Sequence, residues 1–360
     1  MAHRTEFGIV GAGWRADFYL RIAHALPGRF SVIGVADSDE AKRTAVAAKW
    51  GVRVGASVAD LLRDSSPSFV VAAVSWPSTP NVLRQLCDAG MPVLSETPPA
   101  PDIAGLQALR PLLDCKARIQ MAEQYWLQPH SQACLALIGK GILGRPSYAH
   151  VSVGHGYHGI GLIRRFLGIG SELPRISGKR FRAPIVAGGG RNGPPTEETI
   201  RDSAHDIIFF DWGHRLGILD FTGDQYFGWI RNPRLLIRGE RGEIVDDMVY
   251  YLEDFRTPMA VELRRDVTGA KGNLEGFYLR GIQAGGEWAY YNPFAPARLS
   301  DDELAIATCL AKMDEYVRTG REFYTLAEGI QDHYLNLVSQ QALAEGKEIQ
   351  AEPLALVNRP

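Results

Sequence analysis

Cysteine is scarce in this chain, with four in 360 residues. Cys87, Cys115, Cys134 and Cys309 are widely spaced and form no C-x-x-C pair. That spacing excludes a disulfide framework and a structural zinc pattern, and it reads as reduced core thiols of a cytoplasmic protein. A dominant charge sign is also missing. Lys and Arg number 39 against 41 Asp and Glu, a net charge of −2, so no global field favours nucleic acid or an anionic membrane. Long hydrophobic runs are absent as well. Before Gly11 only four consecutive positions are apolar or glycine-flanked, too few for a signal peptide or a membrane span. No internal repeat or low-complexity tract is visible. What remains is an apolar content of 46% over 360 residues, enough for the cores of two domains.

The most informative stretch is Phe7–Ala16. A short apolar run, Phe7 to Val10, reads as a buried strand and breaks at Gly11-Ala12-Gly13, and a helical pattern starts near Arg15. This is G-x-G-x-x-A, the dinucleotide fingerprint in its Ala-ended form. Gly11 allows the tight turn, Gly13 lets backbone approach a pyrophosphate, and Ala16 lets the helix pack on the strand. The helix N-terminus offers N–H groups and a positive dipole end to phosphates. A second apolar run, Phe30 to Ala36, ends in Asp37, about 20 residues further on, where an acid can accept from adenosine ribose hydroxyls. Ser38 and Asp39 follow in place of an arginine, which favours NAD over NADP; Lys42 and Arg43 lie nearby.

The first third alternates strand and helix patterns, which implies a doubly wound parallel sheet. The continuous run Phe69–Val74 reads as a central strand. Asp102 caps a helix predicted to reach Leu113, and residues 117–122 close the set. A helix is predicted over Ser131–Ile138. From Ser147 to Tyr291 strand-like runs dominate, with a hairpin at Gly213-His214, so an open, mostly antiparallel sheet is expected. Gly188-Gly189-Gly190-Arg191-Asn192-Gly193-Pro194-Pro195 reads as the heart of a long mobile loop over 182–203, either a surface excursion or a flap over the site. Ser300–Glu303 and Thr325–Glu328 are capping boxes that open two final helices. The second carries Leu326, Ile330, Tyr334, Leu337 and Val338 on one packing stripe. The organisation expected is a Rossmann domain over 1–123 and an α/β domain over 124–360, whose last helices can pack back on the first.

Several of these motifs together resemble the Gfo/Idh/MocA family of NAD(P)-dependent oxidoreductases. They are the N-terminal fingerprint, Val93–Pro98, Ala122-Glu123-Gln124-Tyr125-Trp126, Leu137–Pro146, Arg238–Ile244 and the helix over 325–346. The resemblance implies a Rossmann domain joined to an α/β domain whose open sheet carries substrate contacts and oligomer interfaces, so a homodimer or homotetramer is expected. It implies a carbohydrate-like small-molecule substrate, with no metal. Gly11, Gly13, Trp14, Arg15 and Asp37 are then expected to hold the cofactor. Ser75 and Trp76 are expected to line its cleft, with Glu96 and Gln124 as further contacts. Thr97, Tyr125, His155, Tyr157 and Arg164 are expected on the substrate side.

The departures from the family pattern shape the chemistry. Its Glu-Lys-Pro signature supplies a proton-transfer lysine, but this chain reads Glu96-Thr97-Pro98. A threonine hydroxyl can orient a substrate and cannot act as an acid–base group near neutrality. The family's D-x-G-x-H-x-x-D becomes Gly154-His155-Gly156-Tyr157-His158-Gly159-Ile160-Gly161, with glycine at both aspartate positions. His158 survives, and a neutral imidazole at a helix start can accept a proton as hydride leaves the same carbon. The expected function is therefore an NAD-dependent oxidoreductase on a sugar, polyol or related compound, with His158 as acid–base. Two alternatives stand beside it: a nucleotide-binding regulatory protein without turnover, and an NAD-dependent lyase or glycosidase that oxidises transiently.

Overall fold

The computed structural model describes residues 4–63, 65–269, 272 and 276–354. Its first part alternates β1 (Thr5–Val10), α1 (Trp14–Ala25), β2 (Phe30–Ala36), α2 (Glu40–Trp50), β3 (Val54–Gly55), α3 (Val58–Arg63), β4 (Phe69–Ala72), α4 (Thr79–Asp88), β5 (Val93–Ser95), α5 (Ile103–Gln107), α6 (Arg110–Asp114) and β6 (Ile119–Met121). The six strands are parallel, in the order β3-β2-β1-β4-β5-β6. Crossovers to both sides of β1 open a crevice at the strand ends, the usual ligand position in such sheets. All four residues of β4 are buried, as expected of a central strand covered on both faces. The single helix predicted from Asp102 to Leu113 is two. Pro111 stands at the start of α6 and has no N–H to continue a helical ladder from α5.

The second part follows as α7 (Pro129–Gly139), β7 (Pro146–Ser152), α8 (Gly156–Leu167), β8 (Arg175–Val186), β9 (Ile200–Asp211), β10 (Leu216–Phe221), β11 (Arg234–Gly239), β12 (Gly242–Val245), β13 (Met248–Leu252), β14 (Pro258–Val267), β15 (Leu279–Ala284), β16 (Glu287–Tyr291), α9 (Asp301–Thr319), α10 (Leu326–Glu345) and β17 (Ile349–Gln350). Among the described residues these strands form one sheet in the order β16-β15-β14-β13-β12-β11-β7-β10-β9-β8-β17. It is antiparallel except where β10 lies parallel to β7. Its inner face, with Ile176, Phe210, Leu219 and Ile237, shares a core with Ile160, Ile163 and Phe166 of α8 and Leu335 of α10.

The loop expected over 182–203 is shorter than that. β8 and β9 pair without interruption from Arg175↔Asp211 to Val186↔Ile200, which leaves only 187–199 as loop. Pro184 does not stop β8, because β17 covers that edge only at Arg175 and Ile176; further along, a missing N–H costs no ladder bond. Both C-terminal capping boxes form, at Ser300 and at Thr325. Helix α9 places Leu304, Ile306, Leu310 and Met313 in one core with Phe7 and Ile9 of β1, Tyr19 and Ile22 of α1, and Phe69 of β4. No helix among the described residues is long and apolar enough to cross a membrane.

Candidate active site

The nucleotide end is built by the turn after β1. Gly11 has φ +103°, and a Cβ there would lie 2.2 Å from the Ala73 carbonyl oxygen, so only glycine fits. Gly13 is the N-cap of α1 and offers no side-chain cap. A Cβ on it would meet nothing within 4 Å. Open space therefore stands before the unpaired N–H groups of the helix, as a phosphate site requires. The fully buried Ala16 brings α1 close to the sheet. Asp37, just beyond β2, accepts from the Ala12 N–H at 2.7 Å and the Asp39 N–H at 2.9 Å, which fixes its carboxylate beside the glycine turn. Arg43 donates to the carbonyls of Asp37 and Ser38, and Lys42 faces the Asp39 carboxylate at 3.8 Å. The Arg15 side chain turns away from the cradle: its Nε donates to Glu96 at 2.8 Å, and Asp302 lies 3.6 Å off. Tyr19 donates to the same Glu96 oxygen at 2.5 Å. Gln124 is buried, and its Oε1 has no hydrogen-bond partner. The open cradle at Gly13, the acid at Asp37 and this unpartnered oxygen fit a dinucleotide.

A second polar cluster, the candidate reacting end, forms where β6 meets α8. Glu123 is 3% exposed and His158 is 7% exposed. Glu123 Oε2 lies 2.6 Å from His158 Nδ1, and its Oε1 accepts from the Tyr125 N–H at 3.0 Å. A carboxylate acceptor at Nδ1 fixes that nitrogen as the protonated one and leaves Nε2 as the proton acceptor. Aromatic rings enclose the imidazole, with centroids of Tyr125 and Tyr157 at 4.4 Å and of His155 at 4.9 Å. The Tyr226 hydroxyl reaches His155 Nδ1 at 2.5 Å and the Tyr125 hydroxyl at 3.3 Å. Tyr157 donates to the Thr97 carbonyl at 3.4 Å. Trp76 and His333 pack against the Tyr157 ring and each other.

The electrostatics fix the protonation of the rings around His158. Burial, and secondarily the neighbouring His158, lower the His155 pKa to about 4, so it stays neutral. Burial raises Tyr125 and Tyr157 well above the usual phenol range, reinforced by Tyr226 and Glu123 respectively. Both phenols therefore stay protonated and act as hydrogen-bond donors.

Thr97, Tyr125, His155, Tyr157 and His158 lie together, and Trp76 packs on Tyr157 beside them. Arg164 does not. Its guanidinium is buried on Asp332 at 2.5 Å and on the Gly170 carbonyl, six residues beyond His158 along α8. Arg165 lies over Trp126 and Tyr324 and reaches Glu328 at 3.1 Å, so both guanidinium groups are held by the protein. The missing aspartates have spatial explanations. A Cβ on Gly161 would meet the Tyr324 hydroxyl at 2.7 Å and Asp332 Oδ2 at 3.3 Å, so a carboxylate from α10 already occupies that place. A Cβ on Gly154 would meet the Tyr125 ring at 3.0 Å and His158 Cβ at 3.1 Å. Sequence reasoning missed Glu123, Tyr226 and His333 as site residues. Glu123 sits inside the Ala122–Trp126 motif and could have been read as an acid partner. Tyr226 and His333 carry no local signal, because only the fold brings them here.

The comparisons agree with this architecture. Residues 5–123 match the family model described as the oxidoreductase family with an NAD-binding Rossmann fold, Gfo/Idh/MocA. Among curated proteins, none matches the chain in sequence. Solved structures of similar fold include an oxidoreductase from Agrobacterium radiobacter in complex with NAD+, L-tartaric acid and magnesium. It is 14% identical with a TM-score of 0.66, over 97% of this chain and 98% of that one. A myo-inositol dehydrogenase from Corynebacterium glutamicum is 14% identical with a TM-score of 0.66, over 98% and 100%. The WlbA dehydrogenase from Bordetella pertussis, in complex with NADH and UDP-GlcNAcA, is 16% identical with a TM-score of 0.63, over 97% and 99%. The glycine cradle and Asp37 thus lie inside the segment that matches the NAD-binding Rossmann fold of the Gfo/Idh/MocA oxidoreductases.

Proposed function

We propose that the protein is an NAD-dependent dehydrogenase or reductase of a sugar, polyol or related hydroxy or keto compound, with His158 as its acid–base group. The Glu123–His158 pair at 2.6 Å carries this reading. It supplies, by another route, the proton-handling group that Thr97 cannot. When bound, NAD supplies hydride transfer at its nicotinamide, and the protein's share is position and proton. Glu123 holds the imidazole by Nδ1, and Nε2 takes the hydroxyl proton of the substrate. The protonated phenols of Tyr125 and Tyr157 exchange their long bonds to the Tyr226 hydroxyl and the Thr97 carbonyl for bonds to substrate oxygens. The Tyr226–His155 contact forms the outer wall of the site. Asp37 accepts from ribose hydroxyls, which supports NAD over NADP. The similar structures solved with a UDP-sugar, or named as inositol dehydrogenases, support the substrate class.

The surrounding organisation is proposed on the same footing. A boundary at 123/124 separates cofactor and substrate domains. The outer face of the large sheet exposes Phe181, Phe209, Tyr250 and Leu252, which supports a homodimer or homotetramer built on that sheet. The reduced, unpaired cysteines support a cytoplasmic protein.

A panel of polyols, sugars and hydroxy acids, followed by NADH absorbance with NAD and with NADP, tests the reading. Net NADH from one hydroxy compound is the expected result. Product without net NADH would favour transient oxidation, as in a lyase or glycosidase. Tight NADH binding with no turnover on any compound would favour the regulatory reading.

A further inference from the structure

We propose that Arg191, at the tip of the β8–β9 hairpin, is a cofactor clamp that closes over the pyrophosphate of the bound dinucleotide. Gly190 and Gly193 exchange backbone hydrogen bonds at 3.0 Å, and Gly193 has φ +109°. The connection therefore narrows to a two-residue turn that presents Arg191 and Asn192. That turn reaches the other sheet's nucleotide crevice. The Arg191 guanidinium lies 3.9 Å from the ring centroid of Trp14, the first residue of α1 and the neighbour of the open Gly13 cradle.

The charge at this place is incomplete without Arg191. A pyrophosphate bears two negative charges, and a helix N-terminus offers roughly half a positive one. The nearby cations are committed elsewhere: Arg15 to Glu96 and Asp302, Arg43 to two carbonyls, Lys42 to Asp39. Arg191 is exposed, and among the described residues no acid pairs with it. Its contact with the Trp14 face is a weak tether, and a phosphate oxygen is a stronger partner for a guanidinium. Only a short swing from the indole is needed, because Trp14 flanks the cradle itself.

The base of the same loop leans on the segment that carries Tyr226. A Cβ on Gly188 would stand 3.0 Å from Gly228 Cα, two residues beyond Tyr226, whose hydroxyl holds His155. The clamp and the outer wall of the reacting end are thus parts of one packed unit.

The test is a set of binding titrations on the full chain with NADH, ADP-ribose and adenosine, at low and high ionic strength. Arg191→Ala should weaken NADH and ADP-ribose about tenfold at low salt, the loss expected for hydrogen bonds to a charged group. It should leave adenosine unchanged, and Arg191→Lys should recover part of the loss. The melting temperature should not move, because the residue is exposed at a turn. Equal NADH affinity in wild type and Arg191→Ala would overturn the clamp. So would an equal loss for adenosine, which carries no phosphate. Neither readout depends on turnover, so failure of the proposed reaction leaves this test intact.

Discussion

Replacing Glu123 by Gln is the sharpest perturbation of the site. The carboxylate is buried, holds His158 Nδ1 at 2.6 Å and accepts the Tyr125 N–H at 3.0 Å. The amide keeps the shape but can turn either its oxygen or its nitrogen toward Nδ1, so the tautomer is no longer fixed. A hydrogen bond to a charged group contributes about 1.5–3 kcal/mol. That interaction strengthens as the imidazole takes a proton, so its loss falls on the transition state. At about 1.4 kcal/mol per decade, turnover should drop about 10- to 10²-fold. His158→Ala removes the proton acceptor altogether and should cost roughly 10²–10⁴-fold. The assay is kcat and KM on the best substrate of the panel, with NADH affinity and a melting curve in parallel. Neither residue touches the Gly11–Ala16 turn, so NADH affinity should hold. Full turnover per folded molecule in both variants, with only melting affected, would refute the dyad and mark the pair as structural.

Further outcomes follow from the same geometry. Neutral His155, with its pKa lowered to about 4, contributes stability that is full above the unfolded value near 6.5. That stability is lost as pH falls toward 4, because the unfolded chain binds the proton first. The total is about 3 kcal/mol at most, and His155→Gln should flatten the fall of melting temperature across this window. Gly13→Ala should melt like wild type, since its Cβ meets nothing, yet bind NADH more weakly. Gly11→Ala should lose both stability and binding through its contact with the Ala73 carbonyl. Gly161→Asp, which restores the family residue, should destabilise by about 1–3 kcal/mol through crowding against Tyr324 and Asp332, read in a urea melt.

The nucleotide half of the site is legible because it is local. Gly11, Gly13, Ala16 and Asp37 act through backbone shape and strand ends, and these follow from short-range spacing. The helix expected over 102–113 divides at Pro111, a break the sequence itself carries. The loop expected over 182–203 is shortened because its glycines and prolines sit beside two strand ends that long-range pairing holds in place. The reacting end is legible only along α8, where His155, Tyr157 and His158 are neighbours in sequence. Glu123, Tyr226 and His333 arrive from three other segments, and no single-sequence period records that they meet. Arg164 shows the converse. Its position near the motif suggested substrate, but a buried acid on α10 had already claimed its charge, and only tertiary packing reveals such a pairing.

The place of α9 has a consequence for the order in which the chain is made. Phe7, Ile9, Tyr19 and Ile22 find part of their cover in Leu304, Leu310 and Met313, and Arg21 finds Glu303 at 3.0 Å. A nascent chain that has only reached residue 123 holds every strand of the first sheet but leaves that face wet. Closing it requires a contact across nearly the whole polypeptide, a slow, high-separation step. During translation the cofactor half therefore waits, partly uncovered, until α9 leaves the ribosome. In that interval its apolar face is open to chaperones or to aggregation.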